Sequence, residues 1–175
     1  GGEGAGKSTQ VGLLATRLEA HGRRALKLRE PGGTALGEQL RDLLKSRETL
    51  DLAVSTEALL FAACRAQLVG EVIHPQLQQG AFVLCDRFID STVAYQSGGR
   101  GLDRALIVAA NRLACGTVQP DLTVLLDLDP SHGLGRASIR DHGKHDRFEA
   151  LGEDFHRKVR AVYHELAAAE PQRFL

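Results

Sequence analysis

The chain has 175 residues, a length that suits one domain with a sizeable core, and 43% of them are hydrophobic. Its 22 Lys and Arg balance 22 Asp and Glu, which removes any long-range electrostatic reason to expect a nucleic-acid polymer or an anionic membrane as partner. Cys64, Cys85 and Cys115 form no CxxC pair, so they read as reduced thiols of a cytoplasmic protein rather than as a zinc or redox motif, and no apolar run approaches the roughly 20 residues of a membrane span.

The chain opens on Gly1-Gly2-Glu3-Gly4-Ala5-Gly6-Lys7-Ser8-Thr9, which satisfies G-x-x-x-x-G-K-[ST]. Such a loop is held by a preceding strand, so one is expected ahead of Gly1. Val11, Leu14, Ala15 and Leu18 recur at helical spacing, and Gly22 is the stop. Ala25 to Leu28 reads as a strand, broken by Pro31-Gly32-Gly33. Leu36, Leu40, Leu43 and Leu44 mark a second helix. A long helix is expected from about Thr56, kinked or ended by Pro75. The continuous apolar runs Ala81–Cys85 and Leu122–Leu128 read as buried strands. Between them a helix is expected from about Asp103 to Ala114, stopped by Gly116. Gly98-Gly99-Arg100-Gly101 reads as a mobile loop. A polar helical segment near Leu134–Arg140 and a final helix from about Glu153 to Ala169 follow. Gln172-Arg173-Phe174-Leu175 looks like the first step of another strand. Strands separated by helices imply a parallel sheet covered on both faces. Three strands are visible, and one more is expected at each end.

The phosphate loop carries the first chemistry. Its glycines let successive backbone N–H groups turn onto phosphate oxygens, and the helix that starts at once points its positive end at the same anion. Lys7 reaches the β and γ phosphates, and the Ser8 hydroxyl ligates Mg²⁺. The motif announces nucleotide binding but is silent on the acceptor. A guanine-reading Asn-Lys-x-Asp element is absent. Asp127 and Asp129 at the end of LTVLLDL could suggest the acidic pair of a motor, but they read more simply as a strand end before Pro130-Ser131. Asp86-Arg87 follows the strand Ala81–Cys85 directly. In open α/β sheets ligands bind outside such strand ends, where a carboxylate suits Mg²⁺ and a guanidinium suits phosphate.

Four segments together resemble the thymidylate kinases, members of the nucleoside monophosphate kinases. They are GGEGAGKST at 1–9, REPGGT at 29–34, FAACRAQL at 61–68 and DRFIDSTVAYQSGGRG at 86–101. The resemblance covers nearly the whole chain. It implies an α/β fold with a parallel sheet of about five strands, one P-loop kinase domain over 1–175, and a lid at about 134–149. It also implies transfer of the γ-phosphoryl group of ATP to dTMP, with Mg²⁺, in a homodimer. Two alternatives stay open: a kinase for another monophosphate such as UMP or dUMP, since one methyl discriminates by only about 1–3 kcal/mol, and a nucleotide-binding module without turnover.

Phe61 and Arg65 lie four apart and share a helix face. Phe61 can stack on thymine while Arg65 donates to its carbonyl edge, the role the resemblance assigns to both positions. Thr92 and Gln96 are also four apart. The Gln96 amide can pair with the N3–H and carbonyl of thymine, and Thr92 adds a hydroxyl. Tyr95, beside Gln96, stands where the family has an aromatic that helps exclude a ribose 2′-hydroxyl. The resemblance places Arg87 on the monophosphate with Arg41 nearby, and Glu30 organises this acceptor side. Lys7, Mg²⁺ and Arg87 neutralise the moving phosphate. Glu3 and Asp86 organise Arg87 and Mg²⁺ rather than remove a proton. The loop itself carries no arginine, so the segment Arg136–Arg147, similar to a bacterial-type lid, is expected to supply one, either Arg140 or Arg147. His142 and His145 in that segment do not have the spacing of a zinc site.

Overall fold

The computed structural model describes residues 1–46, 51–140 and 146–175, apart from the Arg140 side chain. Two parallel strands, β1 (Ala25–Arg29) and β2 (Phe82–Asp86), pair in register from Ala25 opposite Phe82 to Arg29 opposite Asp86. The register brings both carboxyl ends to one edge. The Glu30 N–H donates to Asp86 O at 2.9 Å, so the residues leaving each strand emerge side by side.

Among the described residues the run Leu122–Leu128, expected as a third strand, forms one isolated parallel bridge, Thr123 to Phe174. Thr123 N donates to Arg173 O, Leu175 N to Thr123 O and Leu125 N to Leu175 O, so the run pairs with the C-terminal segment and not with β1 or β2. Its other side faces the phosphate loop: a Cβ on Gly1 would lie 1.9 Å from Leu126 O.

Helices cover the strands. α1 (Lys7–Ala20) starts inside the phosphate loop and ends before Gly22, whose φ of 69° suits glycine. Of its expected stripe, only Ala15 is fully buried. α2 (Ala35–Lys45) is capped by Thr34, which accepts from the Gly37 N–H at 2.9 Å. α3 (Val54–Leu68) begins two residues earlier than expected and passes into a π-helical turn, Val69–Ile73, before α4 (His74–Gln78). Pro75 cannot donate to the turn before it and its ring crowds the carbonyl four residues back; the wider turn absorbs both.

α5 (Ile89–Thr92) and a second π-helical segment, Val93–Gly99, follow β2. The sequence reading missed both. Gly98 and Gly99, expected in a mobile loop, instead end this segment against α8 (Gly152–Ala169). A Cβ on Gly98 would lie 2.5 Å from Val162 Cγ2, and one on Gly99 2.4 Å from the Phe155 ring, so the pair of glycines is required by the close approach. α6 (Arg104–Cys115) is capped by the Asp103 carboxylate and stops at Gly116, as its sequence predicts. Pro130 opens α7 (Pro130–Arg140), and Asp129 accepts from Ser131 N and Oγ there.

The core lies in two main clusters. Leu68, Val69 and Ile73 pack with Ala114 and Cys115 behind β2. Tyr95, Phe148, Phe155, Val159 and Tyr163 pack between the second π-helical segment and α8. The second cluster forms one wall of the site.

Candidate nucleotide and phosphate-acceptor site

A cavity of about 890 Å³ opens at the carboxyl ends of β1 and β2. At one end it is lined by Gly4, Ala5, Gly6, Lys7, Ser8 and Thr9. At the other stand Phe61, Arg65, Thr92, Tyr95, Gln96 and Phe148. Glu30, Arg41, Asp86, Arg87 and Arg136 lie on the walls between them.

The phosphate loop is mostly a backbone object. Gly4 and Gly6 have φ of 63° and 87°, a region that disfavours side chains. A Cβ on Gly4 would also lie 2.2 Å from Gly133 O, and one on Gly133 would lie 2.3 Å from Glu3 O. α7 therefore touches the loop backbone to backbone, and Arg136, about one turn on, reaches the cavity. Gly1 and Gly2 lie behind the lining; Lys7 Nζ donates to Gly2 O at 2.5 Å.

Ser8 Oγ donates to Asp86 Oδ2 at 2.5 Å. Asp86 Oδ1 is buried with no hydrogen-bond partner among the described residues. A hydroxyl and a spare carboxylate oxygen beside a phosphate loop are hard oxygen donors, which fits Mg²⁺ completed by waters and phosphate oxygens.

Arg87, just past β2, has φ 73°, and is the only non-glycine with positive φ among the described residues. A left-handed conformation at such a residue costs about 1–3 kcal/mol and clusters at functional sites. Its Nη2 donates to Glu3 Oε1 at 2.6 Å, and its guanidinium lies 4.9 Å from the Tyr95 ring centre. The Tyr95 hydroxyl donates to the same Glu3 oxygen at 3.0 Å. Burial alone would raise the Glu3 carboxyl, but Arg87, Lys7 and the Tyr95 hydrogen bond outweigh it and hold it at about 2. Burial likewise opposes the charge on Arg87, and Glu3 reverses that effect, so Arg87 is held well above its ordinary range.

Arg65 is 1% exposed and spent largely on protein partners. Its Nε lies 3.0 and 3.1 Å from the two Glu30 oxygens, Nη2 bonds Glu30 Oε2 at 2.5 Å, and Nη1 donates to Asn111 Oδ1 at 2.6 Å. Burial pushes the Glu30 carboxyl up, and Arg65 only partly offsets it. One N–H on each Nη remains for the cavity. Arg41 lines the cavity while Nη1 donates to Pro31 O at 2.6 Å.

The residues of the expected lid segment divide. Arg136 lines the cavity. The Arg140 side chain, His142 and His145 lie outside the described residues. Arg147 is not among the lining residues: its Nη2 lies 2.8 Å from Glu57 Oε2. Arg100 also turns to Glu57, with Nη2 at 2.8 Å, so it covers the pocket wall rather than facing the cavity. Lys45 at the end of α2 binds Asp146 at 2.8 Å and anchors the far stem of this segment. Asp127 pairs with Arg160 at 2.7 Å and Asp129 caps α7, where a strand end before a turn is expected; neither lines the cavity.

Sequence reasoning missed Glu57, Asn111 and the favoured position of Arg136. A signal for Glu57 existed. Glu57, Phe61 and Arg65 stand at i, i+4 and i+8, one face of α3 turned to the site.

Comparison with known proteins points to one family. The family profile described as Thymidylate kinase matches residues 1–175. A thymidylate kinase of Pelobacter propionicus is 50% identical over 177 residues, covering 99% of this chain and 81% of that protein. One from Solidesulfovibrio magneticus is 52% identical over 179 residues, covering 99% and 86%. The crystal structure of thymidylate kinase from Ehrlichia chaffeensis matches with a TM-score of 0.79 at 36% identity, covering 98% of this chain and 80% of that one. The fold is thus the α/β P-loop nucleoside monophosphate kinase fold, and the chain belongs to the thymidylate kinase family.

Proposed function

We propose that the two ends of the cavity hold the two substrates of the thymidylate kinase reaction, ATP at the phosphate loop and dTMP between Phe61 and Gln96. The reaction is transfer of the γ-phosphoryl group of ATP to dTMP, giving ADP and dTDP. The observation that carries the assignment is that one cavity joins Gly4–Thr9 to Phe61, Arg65, Thr92 and Gln96, with Arg87 between them.

The attacking group is already an anionic phosphate, so positioning and charge neutralisation dominate and no strong base is needed. Glu3 is ionised and paired, which suits it to aiming Arg87 at the acceptor phosphate. Lys7 serves the β and γ phosphates, and Arg41 supports Arg87 on the acceptor side. Ser8 and Asp86 would hold Mg²⁺, which when bound would offset the charge that develops on the transferred phosphate. The exposed orientation of Arg136 into the cavity supports it as an arginine at the moving phosphate, beside Arg140; Arg147 is engaged with Glu57 and supports the pocket from outside. The segment about 134–149 acts as a lid on a single domain and excludes water from the transfer. Thr92 Oγ1, buried and without a hydrogen-bond partner among the described residues, suits the base edge.

The chain forms a homodimer through α6 in this reading. Leu106 and Leu113 are 66% and 89% exposed and share a face with Ala109 and Ala110, an apolar stripe at i, i+3, i+4 and i+7. No helix of the described residues is long and apolar enough to cross a membrane, and the three free cysteines, of which Cys64 and Cys115 are buried, support a cytoplasmic setting.

The test is ADP release with Mg·ATP and each of dTMP, dUMP, UMP and dCMP, repeated with Gln96→Leu. Turnover should be fastest on dTMP, and the variant should raise its KM at least about tenfold. Equal turnover on UMP would overturn the dTMP assignment.

A further inference from the structure

Glu57 is fully buried on α3 and is not among the cavity-lining residues. Its carboxylate is saturated. Oε1 accepts from Gln96 Nε2 at 3.0 Å and Arg100 Nε at 3.1 Å. Oε2 accepts from Arg100 Nη2 and pairs with Arg147 Nη2, each at 2.8 Å. A carboxylate balanced by two guanidinium groups offers acceptors only. The amide of Gln96 must therefore turn its NH₂ toward Glu57; the flipped amide would set oxygen against oxygen in a site with no water-exposed relief. The Gln96 oxygen is then left for the cavity.

We infer that Glu57 is a specificity-determining positioning residue: by holding the Gln96 amide in one orientation, it makes the base pocket present an acceptor and so select a ring with a protonated N3. Thymine and uracil carry N3–H. Cytosine carries a lone pair at N3, which would face the Gln96 oxygen. A site built to pair a donor rejects a base lacking it far more strongly than a site that reads size. The same carboxylate also steadies the stacking wall. Arg147 is joined to Phe148 in the chain, and the Phe148 ring meets Phe61 edge-on at 5.7 Å between centres. The inference rests on the assignment of Phe61 and Gln96 to the base.

The experiment is Glu57→Gln, an isosteric change whose amide can donate to the Gln96 oxygen and release the orientation. The ratio of kcat/KM for dTMP to that for dCMP is measured on one preparation, so the folded fraction cancels. It should fall at least about tenfold, through KM for dTMP more than through kcat. A ratio unchanged within about twofold, whatever the loss of melting temperature, would reduce Glu57 to a structural residue and overturn the inference. A second measurement needs no variant of Glu57. In the ¹⁵N-labelled unmodified chain without ligand, one Gln96 side-chain N–H proton should exchange slowly with solvent, because Glu57 holds it. Rapid exchange of both protons, as in an amide whose NH₂ faces the open cavity, would overturn the inference. Gln96→Leu separates the two levels. If it leaves KM for dTMP unchanged, the pocket assignment itself fails; if it raises KM while Glu57→Gln leaves the ratio intact, only the role of Glu57 fails.

Discussion

The two ends of the cavity are built in opposite ways. The phosphate end is lined by six consecutive residues, Gly4 to Thr9, and is built from loop backbone, one helix terminus, Lys7 and Ser8. The acceptor end gathers side chains from α3, α5 and the segment Val93–Gly99, together with Phe148. It is held by buried charges, Glu30 with Arg65 and Glu57 with Arg100 and Arg147. A phosphate is the same in every nucleotide, so a local backbone nest serves it. A base must be told from other bases, which needs donors and acceptors fixed from several directions.

That contrast predicts where the molecule breaks. Arg65→Ala should produce the largest change, and on stability rather than chemistry alone. It strands Glu30 in the interior, a loss of about 3–5 kcal/mol for a broken buried pair. Denaturant unfolding should show it, and pairing the change with Glu30→Leu should recover part of the loss. Arg65→Ala is for this reason a poor probe of base recognition by itself.

Lys7→Ala should act at the opposite end and in the opposite manner. Loss of a charge at the moving phosphate lowers kcat by about 10²–10³, while the melting temperature stays close to that of the unmodified chain. A comparable drop in melting temperature would erase the distinction between the two ends.

Glu3→Gln sharpens the boundary between them. The Glu3 carboxyl lies at about 2, below its ordinary value. A depressed carboxylate contributes stability in full above its unfolded value of about 4.3 and loses it as pH falls toward its folded value. Acid titration of stability from about pH 5 down to 2 should therefore be shallower in the variant. Activity at neutral pH should fall as well, because Arg87 loses the partner that aims it. The smallest effect belongs to charges far from either end. Arg157 pairs with Glu153 and Asp154 on the exposed face of α8, and Arg157→Ala should cost no more than about 0.5 kcal/mol in unfolding free energy.

The phosphate end was legible because its spacing is local: G-x-x-x-x-G-K-S dictates its own geometry, and α1 follows at once. Phe61, Arg65, Thr92 and Gln96 were also legible, as pairs four apart, and all four line the cavity. The choice between Arg140 and Arg147 as lid arginine was beyond spacing, since the approach of α7 depends on the contact of Gly4 with Gly133. The Gly98–Gly101 run misled for a related reason. Glycines that serve a mobile loop and glycines that admit a packed helix look alike until the helix is seen.

By itself the sequence determined most of the helices, though not α5 or the segment Val93–Gly99, together with the two parallel strands nearest the site, the phosphate loop and the family resemblance, because each of these rests on periodicity, turn chemistry or contiguous motifs. Tertiary structure alone decided which charges face the cavity and which face one another. Arg65, Arg100, Arg136 and Arg147 are the same residue type in one dimension. Burial and the few carboxylates within reach, Glu30 and Glu57 above all, divide them between lining the cavity and holding its walls, because a buried guanidinium must find an acceptor before it can serve a ligand.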